Sequence, residues 1–256
     1  MLFLCCVKYI NRNFSTLQLY NIATIFKLKF MTQLENEIAG VKRELVNMWI
    51  LVQSQLNKAK EAMVQFDKDL AREVLIKEKR VNSYELKIDR DCENIFALYC
   101  PVAIDLRFLL AALKINTNLE RIGDIAAGVA LHVVESSVNF DTRALESTSL
   151  LRMFDEAINI FLDTRSAFEK EDTVLARSIF KRDDVLDAIN ENAVETVSAV
   201  IRDDMNAMTE ALYMLSIIRK IERVGDQSKN IAEEIIFYVE AKILKHAGRS
   251  NKGSTV

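Results

Sequence analysis

One block of this chain occurs twice, and the distance between its copies recurs across a long stretch of sequence. Leu119-Glu-Arg-Ile-Gly-Asp124 returns 102 residues later as Ile221-Glu-Arg-Val-Gly-Asp226. At the same offset Lys79-Arg80 returns as Lys181-Arg182, Glu93 as Glu195 and Ala97 as Ala199. Leu110, Leu113 and Ile115 return as Leu212, Leu215 and Ile217, and none of these matches requires a gap. Chance agreement does not hold register over so long a stretch while keeping apolar positions apolar. The chain is therefore read as a duplicated unit, each copy completing its core against neighbouring helices.

From Leu34 onward apolar residues recur every three or four positions, the helical period. With only six Gly and one Pro, breakers are scarce, which favours long helices over many strands. The fold class expected is all-α, as two tandem three-helix bundles. Helices are predicted over Gln33–Phe66, Lys68–Tyr99, Val102–Ser137, Leu145–Glu169, Asp172–Ile201 and Asp203–His246. Pro101 is expected to open the third as its first residue. The units run over residues 31–140 and 141–247, with Ser137–Thr142 as the link and 248–256 as a tail flexible by composition.

Residues 1–30 differ from the rest. They carry Lys8, Arg12, Lys27 and Lys29, no acid and no sustained helical period. They are read as preceding a working start at Met31, the alternative being an arm that touches a membrane. Without them 30 basic residues face 37 acidic ones, a net charge of −7. So acidic a body argues against nucleic acid as a partner. The longest uncharged stretch, Asn13–Phe26, has 14 residues, short of the roughly 18 that suggest a bilayer span, so no membrane insertion is expected. Cys5, Cys6, Cys92 and Cys100 lack zinc-site spacing and are expected to be free thiols in a reducing compartment.

Each copy of the repeated block places two carboxylates four residues apart, Glu120 with Asp124 and Glu222 with Asp226, one turn apart on a helix face. They lie roughly 100–140° round from Leu119, off the stripe Leu119, Ile122, Ala126, Val129 and Val133. The preceding helices offer Glu85 with Asp89 and, at the 102-residue offset, Asp187 with Glu191. Antiparallel packing of consecutive helices would bring two pairs to one patch in each half, and four hard oxygen ligands suit a divalent or ferric ion. A lone pair at this spacing is more often a solvated face, so the duplication is what makes metal binding a competing reading. Gly123 and Gly225, each costing a helix about 1 kcal/mol relative to Ala, suggest close approach of a neighbour. Arg121 and Arg223 read equally well as neutralisers of nearby acids.

Several stretches taken together resemble the PhoU family: Val81-Asn-Ser-Tyr-Glu-Leu-Lys-Ile-Asp89, Pro101-Val-Ala-Ile-Asp-Leu-Arg107, Leu119–Asp124 and Ile221–Glu234. The likeness covers about Met31 to His246. It implies a cytoplasmic, often dimeric protein with surface clusters of iron, zinc, manganese or magnesium ions on carboxylate pairs. Carried over by position, one cluster would use Glu85, Asp89, Glu120 and Asp124, and the other Asp187, Glu191, Glu222 and Asp226. It also implies a negative regulator that links a phosphate ABC importer to a sensor histidine kinase. Asp105-Leu-Arg107 becomes Ala207-Met-Thr209 in the second half, so that motif is not duplicated.

No catalytic residue is expected. A ferritin-like di-iron oxidase needs Glu-x-x-His motifs, yet His132 and His246 follow Val129 and Ile243 at that spacing. Serine or cysteine nucleophiles lack a paired histidine base. A metal-free helical adaptor, or an accessory protein of another phosphate permease, fits the same carboxylates.

Overall fold

The computed structural model describes residues 16–137 and 139–244, with side chains from Met31 onward. Seven α-helices and one short 3-10 turn make up its regular structure, and no strand occurs among the described residues. They are α1 (Thr16–Gln65), α2 (Lys68–Tyr99), α3 (Ala103–Glu135), α4 (Thr142–Ser147), α5 (Leu150–Lys170), α6 (Thr173–Asp203) and α7 (Met208–Glu240). Cys5, Cys6, His246 and the 248–256 tail lie outside the described residues.

α1 begins at Thr16 and runs unbroken through Met31, so the change of character near residue 31 is no structural boundary. Residues 16–30 contain neither Gly nor Pro, and a helix once nucleated extends at little cost. Pro101 precedes α3 instead of opening it. Cys100 ends α2 in the left-handed region (φ 47°) and Val102 occupies the cap position of α3. The helix expected over Leu145–Glu169 is split at Ser149 (φ 57°). The hydroxyls of Ser147 and Thr148 both donate to the Ala144 carbonyl, at 3.2 and 2.8 Å, competing with the helix ladder there. The last helix ends at Glu240, short of His246.

The turns entering α2 and α6 are alike. Phe66 and Glu171 each adopt the left-handed conformation, and the next residue caps the following helix. Asp67 accepts from the amides of Asp69 and Leu70, and Asp172 from those of Val174 and Leu175, all at 2.9 Å.

α1, α2 and α3 pack on one another, as do α5, α6 and α7. The halves meet along α3 against α7 and, less extensively, α1 against α5. They share one core. Trp49 of α1 lies 5.7 and 5.5 Å from the rings of Phe161 and Phe168 in α5. Phe108 of α3 meets Tyr238 of α7 edge-on at 5.6 Å. The predicted stripe of Leu119, Ile122, Ala126, Val129 and Val133 is wholly buried.

The α3–α7 seam is antiparallel and close to two-fold symmetric. Lys114 pairs with Glu234 at 3.0 Å, and the equivalent contact joins His132 Nε2 to Ser216 Oγ at 3.1 Å. Asn118 meets Asn230 at 3.4 Å, and the equivalent pair sets Gly128 beneath the Lys220 side chain. Arg107, from the unduplicated motif, donates to the Tyr238 carbonyl at 3.4 Å, occupying an acceptor in the last turn of α7.

Candidate functional site

The repeat does not keep one offset throughout. α3 and α7 correspond at 102 residues: buried Leu119, Ile122, Gly123, Val129 and Val133 match buried Ile221, Val224, Gly225, Ile231 and Ile235. α2 and α6 correspond at 105. Buried Ala71, Val74, Val81, Ile88 and Cys92 match buried Ala176, Ile179, Leu186, Ala193 and Val197. Asp67 and Asp172, the two caps, obey the same 105. A single 102-residue offset therefore sets α6 nearly one turn out of register, and Glu85 and Asp89 are not the counterparts of Asp187 and Glu191.

In the first half α2 and α3 run antiparallel. Asn116 Nδ2 donates to the Glu85 carbonyl and to Asp89 Oδ1, each at 2.9 Å. Further along, Gly123 faces Val81. This register sets Glu85 and Asp89 beside Glu120 and Asp124. Glu120 is half-buried, and that burial, with the charges of Asp124 and Glu85, pushes its carboxyl up to about 7. Glu85 is raised by burial and by the charges of Asp89 and Asp124. Arg121 offsets Glu120 only weakly. The four carboxylates share one patch and repel across it.

The second half gathers a different set. Asp183 is buried on the core face of α6, its side chain 2 % exposed, where Ile179 and Leu186 flank it. The Lys229 ammonium of α7 is ion-paired with Asp183 Oδ2 and reaches Asp226 Oδ1 at 3.0 Å. Burial pushes Asp183 up to about 6, with Lys229 opposing and Asp187 and Asp226 adding to the rise. Glu222 is raised by burial and by Asp226, Asp187 and Asp183. Burial disfavours the Lys229 charge, yet Asp183 and Asp226 outweigh it and hold the ammonium above its ordinary value.

Asp187, Glu222 and Asp226 thus meet as expected from the sequence. Glu191 does not join them: it is exposed, at the position matching exposed Leu86 in the first half. Asp183 takes its place. A signal for it existed, because Asp183 falls on the apolar stripe Ala176, Ile179, Leu186, where a carboxylate has no reason to be unless paired. Gly225 is explained by the same residue. A Cβ there would overlap the Asp183 carboxylate and lie 2.6 Å from Leu186 Cδ1. At Gly123 the nearest atoms are Val81 Cγ1 at 3.2 Å and Gln55 Oε1 at 3.4 Å, so a methyl nearly fits.

Among the described residues, no three carboxylate, imidazole or thiolate groups draw close enough to form a ready coordination shell. Cys92 and Cys100 are free, and burial first of all pushes the Cys92 thiol up to about 12. No described helix is long and apolar enough to cross a membrane.

Comparison with known proteins bears on what such a pair of clusters serves. The model of the PhoU domain matches residues 45–133 and again 150–235. The chain is 32% identical to the phosphate-specific transport system accessory protein PhoU of Escherichia coli over 216 residues, 84% of this chain and 89% of that one. It is 31% identical to PhoU homolog 1 of Thermotoga maritima over 214 residues, 82% and 90% of the two chains. The crystal structure of PhoU from Pseudomonas aeruginosa superposes with a TM-score of 0.74 at 28% identity, covering 81% of this chain and 99% of that one.

Proposed function

The chain belongs to the PhoU family, and from that premise we propose that it is the accessory regulator of a phosphate-specific transport system. In this reading it acts at the cytoplasmic face of the membrane, as a dimer, and joins the importer to a sensor histidine kinase. Phosphate-starvation genes then stay off while phosphate is plentiful. It works by binding and positioning partners and not by catalysis. Two full copies of the domain, spread over most of the chain, support this over a shorter accessory protein.

The observation that carries the metal part of the reading is the first cluster. Glu85, Asp89, Glu120 and Asp124 bring four carboxylates to one patch with no ammonium among them, and Glu85 and Glu120 are raised by burial and then by the neighbouring acids. The donor set is all hard oxygen, which suits iron(III), magnesium, manganese or zinc. Glu85 and Glu120 would hold the ion together with Asp124, and Asn116 orients Asp89 beside them. A bound cation would supply the positive charge that the patch lacks.

A second reading has one observation in its favour. The carboxylates do not already converge on a point, as suits a metal-free adaptor that meets basic partners. Elemental analysis of protein purified without chelator separates the two. Metal that disappears in Glu120→Gln/Asp124→Asn supports the cation reading, and unchanged metal content in that variant removes the site. For the regulatory role, deletion of the gene should derepress phosphate-starvation genes in high phosphate. Normal repression in the deletion strain contradicts it.

A further inference from the structure

The two clusters lie on equivalent helix pairs but hold different chemistry. Where α7 carries Lys229, α3 carries Ala127 at the 102-residue offset. Where α6 buries Asp183, α2 has Glu78 at the 105-residue offset, on a more accessible part of the surface. The first half therefore has no counterpart of the ammonium, and the second has one built into the middle of its acids.

We infer that Lys229 stands in the second repeat where a metal ion would otherwise be held, so that the first repeat alone is open to cations. Part of this rests on the reading that the first cluster holds metal. The role of Lys229 does not, because it concerns only what the second cluster can accept.

The ammonium touches Asp183 and Asp226 together, taking the side of Asp226 that faces α6. An ion ligated by Asp226 and Asp187 would have to sit against that ammonium, and like charges sharing one carboxylate repel. Swinging Lys229 out to solvent would relieve the repulsion but strand Asp183. Its carboxylate is buried and has no other donor in hydrogen-bonding geometry among the described residues. Leaving a buried charge unpaired is among the costliest changes a core can undergo. Gly225 fits the same arrangement, since a Cβ there would overlap Asp183 Oδ1 and the buried carboxylate would have to move. The family-implied ion thus does not fit the second cluster as it fits the first.

The test counts bound Mn²⁺ by electron paramagnetic resonance and by elemental analysis in full-length protein. Wild type should lose its Mn²⁺ in Glu120→Gln/Asp124→Asn and keep it in Glu222→Gln/Asp226→Asn. Lys229→Gln should gain a second increment, which adding Glu222→Gln/Asp226→Asn then abolishes. If Lys229→Gln does not fold, Asp183→Asn/Lys229→Met removes both charges with near-isosteric side chains, an exchange a core often tolerates. Two results overturn the inference: wild type losing Mn²⁺ in Glu222→Gln/Asp226→Asn, or a folded Lys229 variant gaining none. Wild type that binds nothing while the Lys229 variant binds would refute the first-cluster reading and leave the role of Lys229 standing.

Discussion

Replacing Gly225 with Ala asks directly whether the second cluster is built around Asp183. A methyl group at that position overlaps the Asp183 carboxylate and crowds Leu186, both on the buried face of α6. Overpacking of this kind costs about 1–3 kcal/mol. Moving the carboxylate also weakens its pairing with Lys229, for which we allow a further ~1 kcal/mol, well below the cost of breaking a buried pair outright. Against this, Ala is better than Gly inside a helix by about 1 kcal/mol. The net expectation is a loss of about 2 kcal/mol, the sum of those three contributions. Gly123→Ala is the internal control. There the methyl meets Val81 and Gln55 at 3.2 and 3.4 Å, so a slight shift suffices. The propensity gain then leaves that variant within about 1 kcal/mol of wild type. Thermal unfolding followed by circular dichroism at pH 7.5 should show Gly225→Ala melting roughly 4–8 °C lower, at about 2–4 °C per kcal/mol for a chain of this size. Equal melting of the two variants would refute the claim that Gly225 exists to admit Asp183.

Three further perturbations test the fold and the seam. Trp49→Ala should cost about 3–5 kcal/mol in urea unfolding, and in one transition, because Trp49 packs on Phe161 and Phe168 of the other half. Two separated transitions would contradict the shared core. Asp67→Ala and Asp172→Ala should each cost about 1 kcal/mol through the lost cap, and losses that differ several-fold would deny the equivalence of the two turns. His132 is lowered by burial and by Lys220, with Glu135 opposing, and it contacts Ser216 and Tyr213 across the seam. A depressed folded value means that the unfolded chain binds more protons. Its stabilisation is therefore present above the unfolded value near 6.5 and is lost as pH falls through the folded one. Glu120, raised to about 7, acts in the opposite sense: its contribution is present below the unfolded carboxyl value and lost as pH rises through about 7. Comparing wild type with His132→Gln from pH 7.5 to 5 isolates the histidine, and parallel declines in the two proteins would remove its role.

The helical class and the core stripe of α3 were legible because both follow from one period, that of apolar residues along a helix. The elements that depart from that period are decided by other forces. The split at Ser149 reflects hydroxyls competing for the Ala144 carbonyl, which periodicity does not register. The early start of α1 reflects helix propagation through a segment whose composition suggested foreign material. Of the candidate ligands, Glu120, Asp124, Glu222 and Asp226 were placed by the strongest identity in the repeat. The α2 and α6 residues depended on an offset carried across a turn, where the repeats differ by three positions, the gap between 105 and 102. Three residues are nearly one helical turn, so the misalignment kept residues on about the right face and shifted them along the axis. Asp187 survived that shift and Glu191 did not.

The duplication has kept its packing and let its polar chemistry diverge. Buried positions of α3 recur as buried positions of α7, with Leu119 answered by Ile221, Ile122 by Val224 and Val133 by Ile235. At the polar positions the same geometry carries unlike groups. One side of the seam joins Lys114 to Glu234 as an ion pair, and its mate joins His132 to Ser216. One acidic patch contains an ammonium and the other contains none. Such divergence is what packing permits, because a core position is constrained by volume from every side, whereas a half-buried polar position needs only a partner. α3 and α7 each carry carboxylates of one cluster and half of the seam, so the two unlike clusters are joined through the same packed helix pair. The two clusters are not interchangeable copies of a single site.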